Sequence, residues 1–276
     1  MLTPSLNSRI INFKSLTNTI YKGLRAPEMK MKKSLLSALV LLMLISTALP
    51  ALALGPLDAN ADLTYMSKYV WRGMVANPEA VLQPGLSASF LGFGIGFWGN
   101  MDLTDIYDSS GEFTEIDWIA SYSLPLPLFD LDFGFIYYDF PTSDAAATTE
   151  AYISASMGVL LSPSLAIYYD FKEVDGTYVN AAISHGVAMG PEIDLELGAS
   201  LGFGDSGYNE SYFGIDSGGM TDFLFTASVP FQLIPFFTVT PSVNYSTQMG
   251  DAKDSTDAYE GDSDAFFYGL SASFAF

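Results

Sequence analysis

The sequence predicts an all-β chain: a transmembrane, antiparallel, up-and-down β-barrel of about twelve strands. Three observations carry this. Stretches of roughly 9–13 residues alternate apolar and polar side chains with a period of two. They are longer than most soluble strands and suit a tilted crossing of a bilayer. The connections alternate between tight and long, as in barrels with short turns at one end and loops at the other. The chain closes on FFYGLSASFAF, in which Phe266, Tyr268, Leu270, Ala272, Phe274 and Phe276 share one face, because successive strand side chains point to opposite sides. A final strand with so large an apolar face needs a partner strand and a solvent other than water.

Taken in order, the alternation places strands at 61–72, 80–90, 92–102, 113–124, 129–140, 148–159, 164–173, 177–188, 192–203, 221–231, 235–247 and 264–276. LG, PLPL, LLSPS, MGP and QLIP make the tight connections. RGMVANPE, DIYDSSGE, FPTSDAAAT and two acidic stretches near 205–220 and 249–264 are among the long ones. In the strand 235–247, Phe237, Val239, Pro241, Val243 and Tyr245 oppose Thr238, Thr240, Ser242, Asn244 and Ser246. A soluble sheet would show long Lys, Glu and Arg side chains to water, whereas small polar ones suit a crowded, hydrated lumen. Aromatic residues near the ends of the apolar faces, including Tyr65, Tyr69, Trp71, Phe90, Trp118, Tyr122, Tyr245 and Phe276, fit the girdles at two membrane interfaces. A secreted soluble β-protein is the rival fold, since a sandwich alternates too. No helix is expected after the leader.

Ahead of the barrel, Lys30, Lys32 and Lys33 precede SLLSALVLLMLISTAL and then Ala51-Leu52-Ala53. A basic stretch, an apolar run and a small-residue site mark 29–53 as a secretory signal peptide, cut near Ala53. Residues 1–28 read as an upstream extension, either disordered or from a mis-assigned start, and 54–276 as the barrel.

Charge narrows the function. Of the thirty-one acids only Glu28 precedes Leu54, and beyond Leu54 the basic residues are Lys68, Arg72, Lys172 and Lys253. Nucleic acid is excluded as a partner, because phosphate contacts need Lys and Arg. Cysteine is absent and His185 is the one histidine, which leaves no disulfide framework and no zinc constellation. His185 shares its face with Ile183 and Val187, so no nucleophile accompanies it. With no P-loop, nucleophile elbow or dinucleotide fingerprint, neither an enzyme nor a cofactor is expected.

The candidate site lies in the lumen. In MSKYVWRGMV the alternation turns Lys68 and Arg72 inward, opposite inward acids at Glu115, Asp117, Asp132, Glu150, Asp170, Asp194 and Glu196, with Lys172 as a third cation and Tyr138, Tyr152, Tyr168 and Trp98 as stacking platforms or plugs. A buried charge needs a partner. Two readings stay open: a charged constriction that orients a polar solute, or a salt-bridge network that fills the barrel. Asp251, Asp254, Asp257 and Glu260 in the last long loop are weak calcium candidates, since calcium takes clustered carboxylate oxygens, although the spacing is not that of a calcium loop.

Ser67, Tyr69, Arg72 and Gly73 also resemble the S-x-Y-x-x-R-G strand of the TorF-like porin family of Gram-negative bacteria. The ending on Phe276 is similar to the C-terminal signal by which barrel-assembly machinery recognises outer-membrane proteins. The resemblance implies an integral outer-membrane pore in contact with lipid and lipopolysaccharide. The expected function is passive diffusion of small polar or cationic solutes. The alternative is a closed barrel acting through its acidic loops as a surface adhesin or cation-binding scaffold.

Overall fold

The structure, a computed structural model, describes residues 57–190 and 193–275. The expected signal peptide, upstream extension and cleavage site near Ala53, together with Phe276, lie outside the described residues. In chain order the strands are β1 (Leu57–Met66), β2 (Tyr69–Trp71), β3 (Met74–Asn77), β4 (Val81–Phe90), β5 (Phe93–Asp102), β6 (Phe113–Pro125), β7 (Asp130–Asp139), β8 (Thr148–Ser156), β9 (Ser164–Asp170), β10 (Gly176–Ala188), β11 (Asp194–Gly204), β12 (Gly219–Ser228), β13 (Phe231–Ile234), β14 (Phe237–Gln248) and β15 (Asp264–Ala275). Two helices, α1 (Ser206–Phe213) and α2 (Gly250–Ala258), interrupt the last two long loops.

Twelve of the strands form one closed antiparallel barrel in the order β1-β4-β5-β6-β7-β8-β9-β10-β11-β12-β14-β15, sealed where β15 returns to β1. The seal runs from Asn60↔Ala275 to Met66↔Gly269 and is extended by Ser67 to Tyr268, so β15 is paired on both sides from Tyr268 to Phe274, and the wall closes there. β13 is a short flap in the turn before β14. β2 and β3 pair only with each other.

Alternation sorts the wall as the sequence leads one to expect. Outward side chains are large, apolar and exposed: Phe93 68%, Ile95 70%, Trp118 56%, Phe135 55% and Phe266 64%. Aromatic pairs such as Phe97–Trp118 and Phe237–Phe274 brace this surface between neighbouring strands. Most inward side chains are small or polar, with a few larger ones such as Trp98 and Phe267 among them. Thr64 hydrogen-bonds Ser271 across the seal, and Thr226 bonds Asn244.

The first wall strand corrects one expectation. It ends at Met66, not at residue 72. Ser67 anchors the exit: its amide donates to the Tyr268 carbonyl and its hydroxyl accepts from the Tyr268 amide, both at 2.9 Å. The alternation continues past this point, but it belongs to a separate hairpin. Tyr69 is therefore buried and Trp71 is turned inside, and neither is a girdle residue.

Candidate functional site: a plugged mouth over an acidic vestibule

The β2–β3 hairpin folds into the loop end of the barrel. Trp71 pairs with Met74, so Arg72 and Gly73 form a two-residue turn, with φ of 45° and 81°. A two-residue turn of this hand needs positive φ at both central positions. Gly73 takes that conformation freely. It also fits for space: a Cβ there would lie 2.5 Å from the Cβ of Asp222. Arg72 takes it against its side-chain preference, and its contacts explain why.

The Arg72 guanidinium makes two parallel bonds to Glu150 on β8, at 2.8 and 2.7 Å. Its carbon lies 4.4 Å from the ring centre of Trp71, 4.7 Å from Tyr168, 4.3 Å from Tyr178 and 5.8 Å from Tyr208. The pair is buried, with side-chain exposures of 9% and 4%. A forked guanidinium matched to a carboxylate and faced by aromatic rings is the favourable way to bury this charge. Tyr138 donates to the same carboxylate at 2.8 Å, and Tyr178 is held by Asp222 at 3.0 Å. The hairpin leaves the wall beside β1 and β4, while Tyr168 and Tyr178 stand on β9 and β10, half-way round the strand order. Its tip thus crosses the lumen and docks on the opposite wall. Nearer its base, Tyr69 donates to Glu115 at 2.8 Å and packs on Trp98.

The helices complete the plug. Asp205 caps α1 by accepting from the Tyr208 amide, and Gly214 ends it in a left-handed conformation. Partial burial pushes the Asp205 carboxyl up, but the amides of Tyr208, Thr177 and Gly207 outweigh that and hold it below the usual carboxylate range. The helix backbone lies so close to Gly176 at the start of β10 that a Cβ would overlap the Tyr208 amide. The Tyr208 and Tyr212 rings pack at a tilt with centres 4.6 Å apart, and Tyr212 meets Trp71. Tyr178, Tyr208, Phe213 and Ala252 of α2 form a buried apolar core, with Met74 and Ile215 against it. This core sits inside the mouth of the barrel.

The other end differs. Along β10 the inward residues pass from buried Gly176 and Tyr178 to exposed Ser184 and Gly186, and along β11 from buried Gly204 and Gly202 to exposed Asp194. The turn-end half of the lumen is lined by Ser, Gly, Thr and Asn. Its inward acids are Asp58, Asp62, Asp130, Asp132, Asp194 and Glu196. All four described basic residues sit at the loop end: Lys68 and Arg72 with the hairpin, Lys172 after β9 and Lys253 on α2.

The expected site residues divide accordingly. Arg72, Tyr138, Glu150 and Tyr168 converge, and Glu115 and Asp117 lie buried beside them on β6. One oxygen of Asp117 is buried without a hydrogen-bond partner. Lys68 and Arg72 come from the hairpin, which corrects their placement on a wall strand; Lys68 reaches the Pro78 carbonyl at 3.2 Å. Lys172 is also corrected. β9 ends at Asp170, so Lys172 is exposed beyond the strand, 6.0 Å from the outward Tyr137 ring. Asp170 is buried in the turn it organises, accepting from the amides of Lys172 and Glu173 and from Thr148. Asp132 accepts from Ser123, low in the vestibule. Asp251, Asp254 and Asp257 lie along α2 and Glu260 just beyond it; among the described residues no three such side chains converge to hold a metal ion. His185 faces outward opposite Leu197. Sequence reasoning missed Trp71 as an inward residue and Tyr178, Tyr208 and Tyr212 altogether. The capping Asp205 and Gly214, spaced for a short helix, were the available signal for the last two.

Residues 50–212 match the model of a family described as a bacterial protein of unknown function, Gcw_chp. The chain belongs to the Gcw_chp family. The matched span includes Ser67, Tyr69, Arg72 and Gly73, whose TorF-like character stays a resemblance. No curated protein matches the chain. Similar solved structures include a KdgM porin in complex with disordered oligogalacturonate (12% identity, 79% of this chain and 99% of that one, TM-score 0.49). A NanC porin is similar over 79% of this chain and 98% of its own at 12% identity, with a TM-score of 0.48. LpxR from Salmonella typhimurium is similar over 78% and 99% at 7% identity, with a TM-score of 0.46. The strand order of this Gcw_chp chain rests on its own pairing.

Proposed function

We propose that the protein is a passive channel of the bacterial outer membrane for small polar or cationic solutes, shut in this conformation by the hairpin across its loop mouth. The carrying observation is the contrast within one lumen. A solvent-exposed half lined by small residues and carboxylates leads to a mouth that is closed where the loops bring side chains in against the wall. A twelve-strand barrel encloses little space, so one hairpin with two short helices behind it suffices to close it. Carboxylates at the turn end favour cations by raising their local concentration, an effect that salt screens. The apolar exterior suits membrane lipid, and the loop end suits the lipopolysaccharide face. The sealing strand β15, which leads to Phe276, suits recognition by barrel-assembly machinery, and cleavage near Ala53 would deliver the chain there.

A second reading is a closed scaffold or adhesin, which is favoured by the meeting of Arg72, Glu150, Tyr138 and Tyr168 inside the mouth. Planar-bilayer recording separates the two. Protein purified from the membranes of expressing bacteria should give brief openings whose reversal potential in a salt gradient shows cation preference, weaker at high salt. Silence from both the wild type and a variant with a loosened hairpin would overturn the channel in favour of the scaffold, and anion preference would overturn the assigned solute class.

A further inference from the structure

We propose that the wall beneath Arg72 is a binding site for the guanidinium or alkylammonium group of a solute, and that Arg72 is its built-in occupant. This rests on the channel reading above and names the solute class. Arg72 belongs to a hairpin that pairs with no wall strand. Most of what holds its guanidinium belongs to the wall. Glu150 is on β8, Tyr168 on β9 and Tyr178 on β10, and they grip the guanidinium through two hydrogen bonds and two ring faces. Glu150 and Tyr178 are held by wall residues and not by the hairpin, and the Tyr168 ring lies between those of Tyr152 and Tyr178. Tyr138 holds Glu150 and Asp222 holds Tyr178. If the hairpin withdraws, the wall keeps a preorganised carboxylate flanked by two aromatic faces, which is the chemistry that recognises a guanidinium or an amine.

The wall also offers a route to the site. Tyr152 pairs with Tyr168 and Tyr168 with Tyr178 in register across three neighbouring strands, their ring centres 5.8 and 6.3 Å apart. This row stands above the carboxylate-lined vestibule. A cation drawn in by the acids would meet aromatic faces on its way to Glu150 and would compete there with Arg72. The plug would then yield to the solutes the site recognises, because each would replace the contacts that Arg72 gives up.

Chemical rescue tests this without any transport assay. Arg72→Ala empties the site. Methylguanidinium at low millimolar concentration should raise the thermal unfolding midpoint of purified R72A, read by heat-modifiable gel migration, by several degrees. Neutral methylurea, of the same shape, should not. The wild type should not respond, its site being filled, and R72A/E150Q should lose the response. Arg72→Asn, which suits the positive φ of the turn, provides the same vacancy if R72A does not fold. Equal responses to methylguanidinium and methylurea, or a response that survives E150Q, would overturn the site. Rescue from a protein that conducts nothing would keep the site and sink the channel; conduction without rescue would do the reverse.

Discussion

The two ends of this lumen are built from the same twelve strands and solve opposite problems. At the turn end, inward positions carry Ser, Gly, Thr and carboxylates, and several are exposed. At the loop end, the inward positions Asn100, Asp102, Glu150, Asp170, Tyr178 and Asp222 are all buried at 3% exposure or less. The wall alternation is the same in both. The difference comes from what the loops put inside: a hairpin tip, two tyrosines of α1 and an alanine of α2. A barrel wall therefore sets where a path can run, and the loops decide whether it is open.

The comparison breaks most severely if the Arg72–Glu150 pair is cut. Glu150→Ala strands a buried guanidinium, which should cost about 3–5 kcal/mol. Hydrogen exchange should then show the hairpin amides losing protection while β14 and β15 keep theirs. Gly73→Ala should come next. It adds a methyl against Asp222 in a backbone conformation that costs an alanine about 1–2 kcal/mol, so the hairpin should lift and become open to protease. Tyr69→Phe removes the donor from buried Glu115 and should cost about 1–3 kcal/mol, loosening the base of the hairpin more than its tip.

Smaller effects sharpen the contrast. Asp205→Ala removes the α1 cap, worth about 1 kcal/mol. Because the Asp205 carboxyl is held below its unfolded value, its contribution is present above the ordinary carboxylate range and lost as pH falls through the folded value. Acid titration followed by tyrosine fluorescence should thus perturb α1 in the wild type, and less in D205A. Lys253→Ala breaks a pair with Asp264 at 2.6 Å that is a third or more exposed; it should change stability by less than about 1 kcal/mol and leave the plug unmoved.

Much of the barrel was legible in the sequence. The strand count, the two faces of β14 and the seal by β15 follow from a period of two. That period could not show where the chain leaves the wall. Tyr69 and Trp71 continue the alternation of β1, and only the Ser67–Tyr268 bonds and the positive φ of Arg72 and Gly73 mark the departure. The same blindness carried β9 past Asp170 and turned Lys172 inward. The helices escaped notice because α1 is a short helix held by its caps and its contacts with Gly176, while α2 is polar along most of its length. Of the site, the charges were legible one by one; their meeting was not, because it depends on a hairpin crossing to strands some eighty residues away.

Single-channel recording of the wild type against Arg72→Ala tests directly whether the hairpin is the gate. If the hairpin is the gate, R72A should open far more often and to a larger conductance, with cation preference retained because Asp58, Asp62, Asp130, Asp132, Asp194 and Glu196 remain. Indistinguishable traces from a properly folded R72A would mean that the hairpin is not the gate, since the mouth would then be closed, or open, for reasons unrelated to its plug.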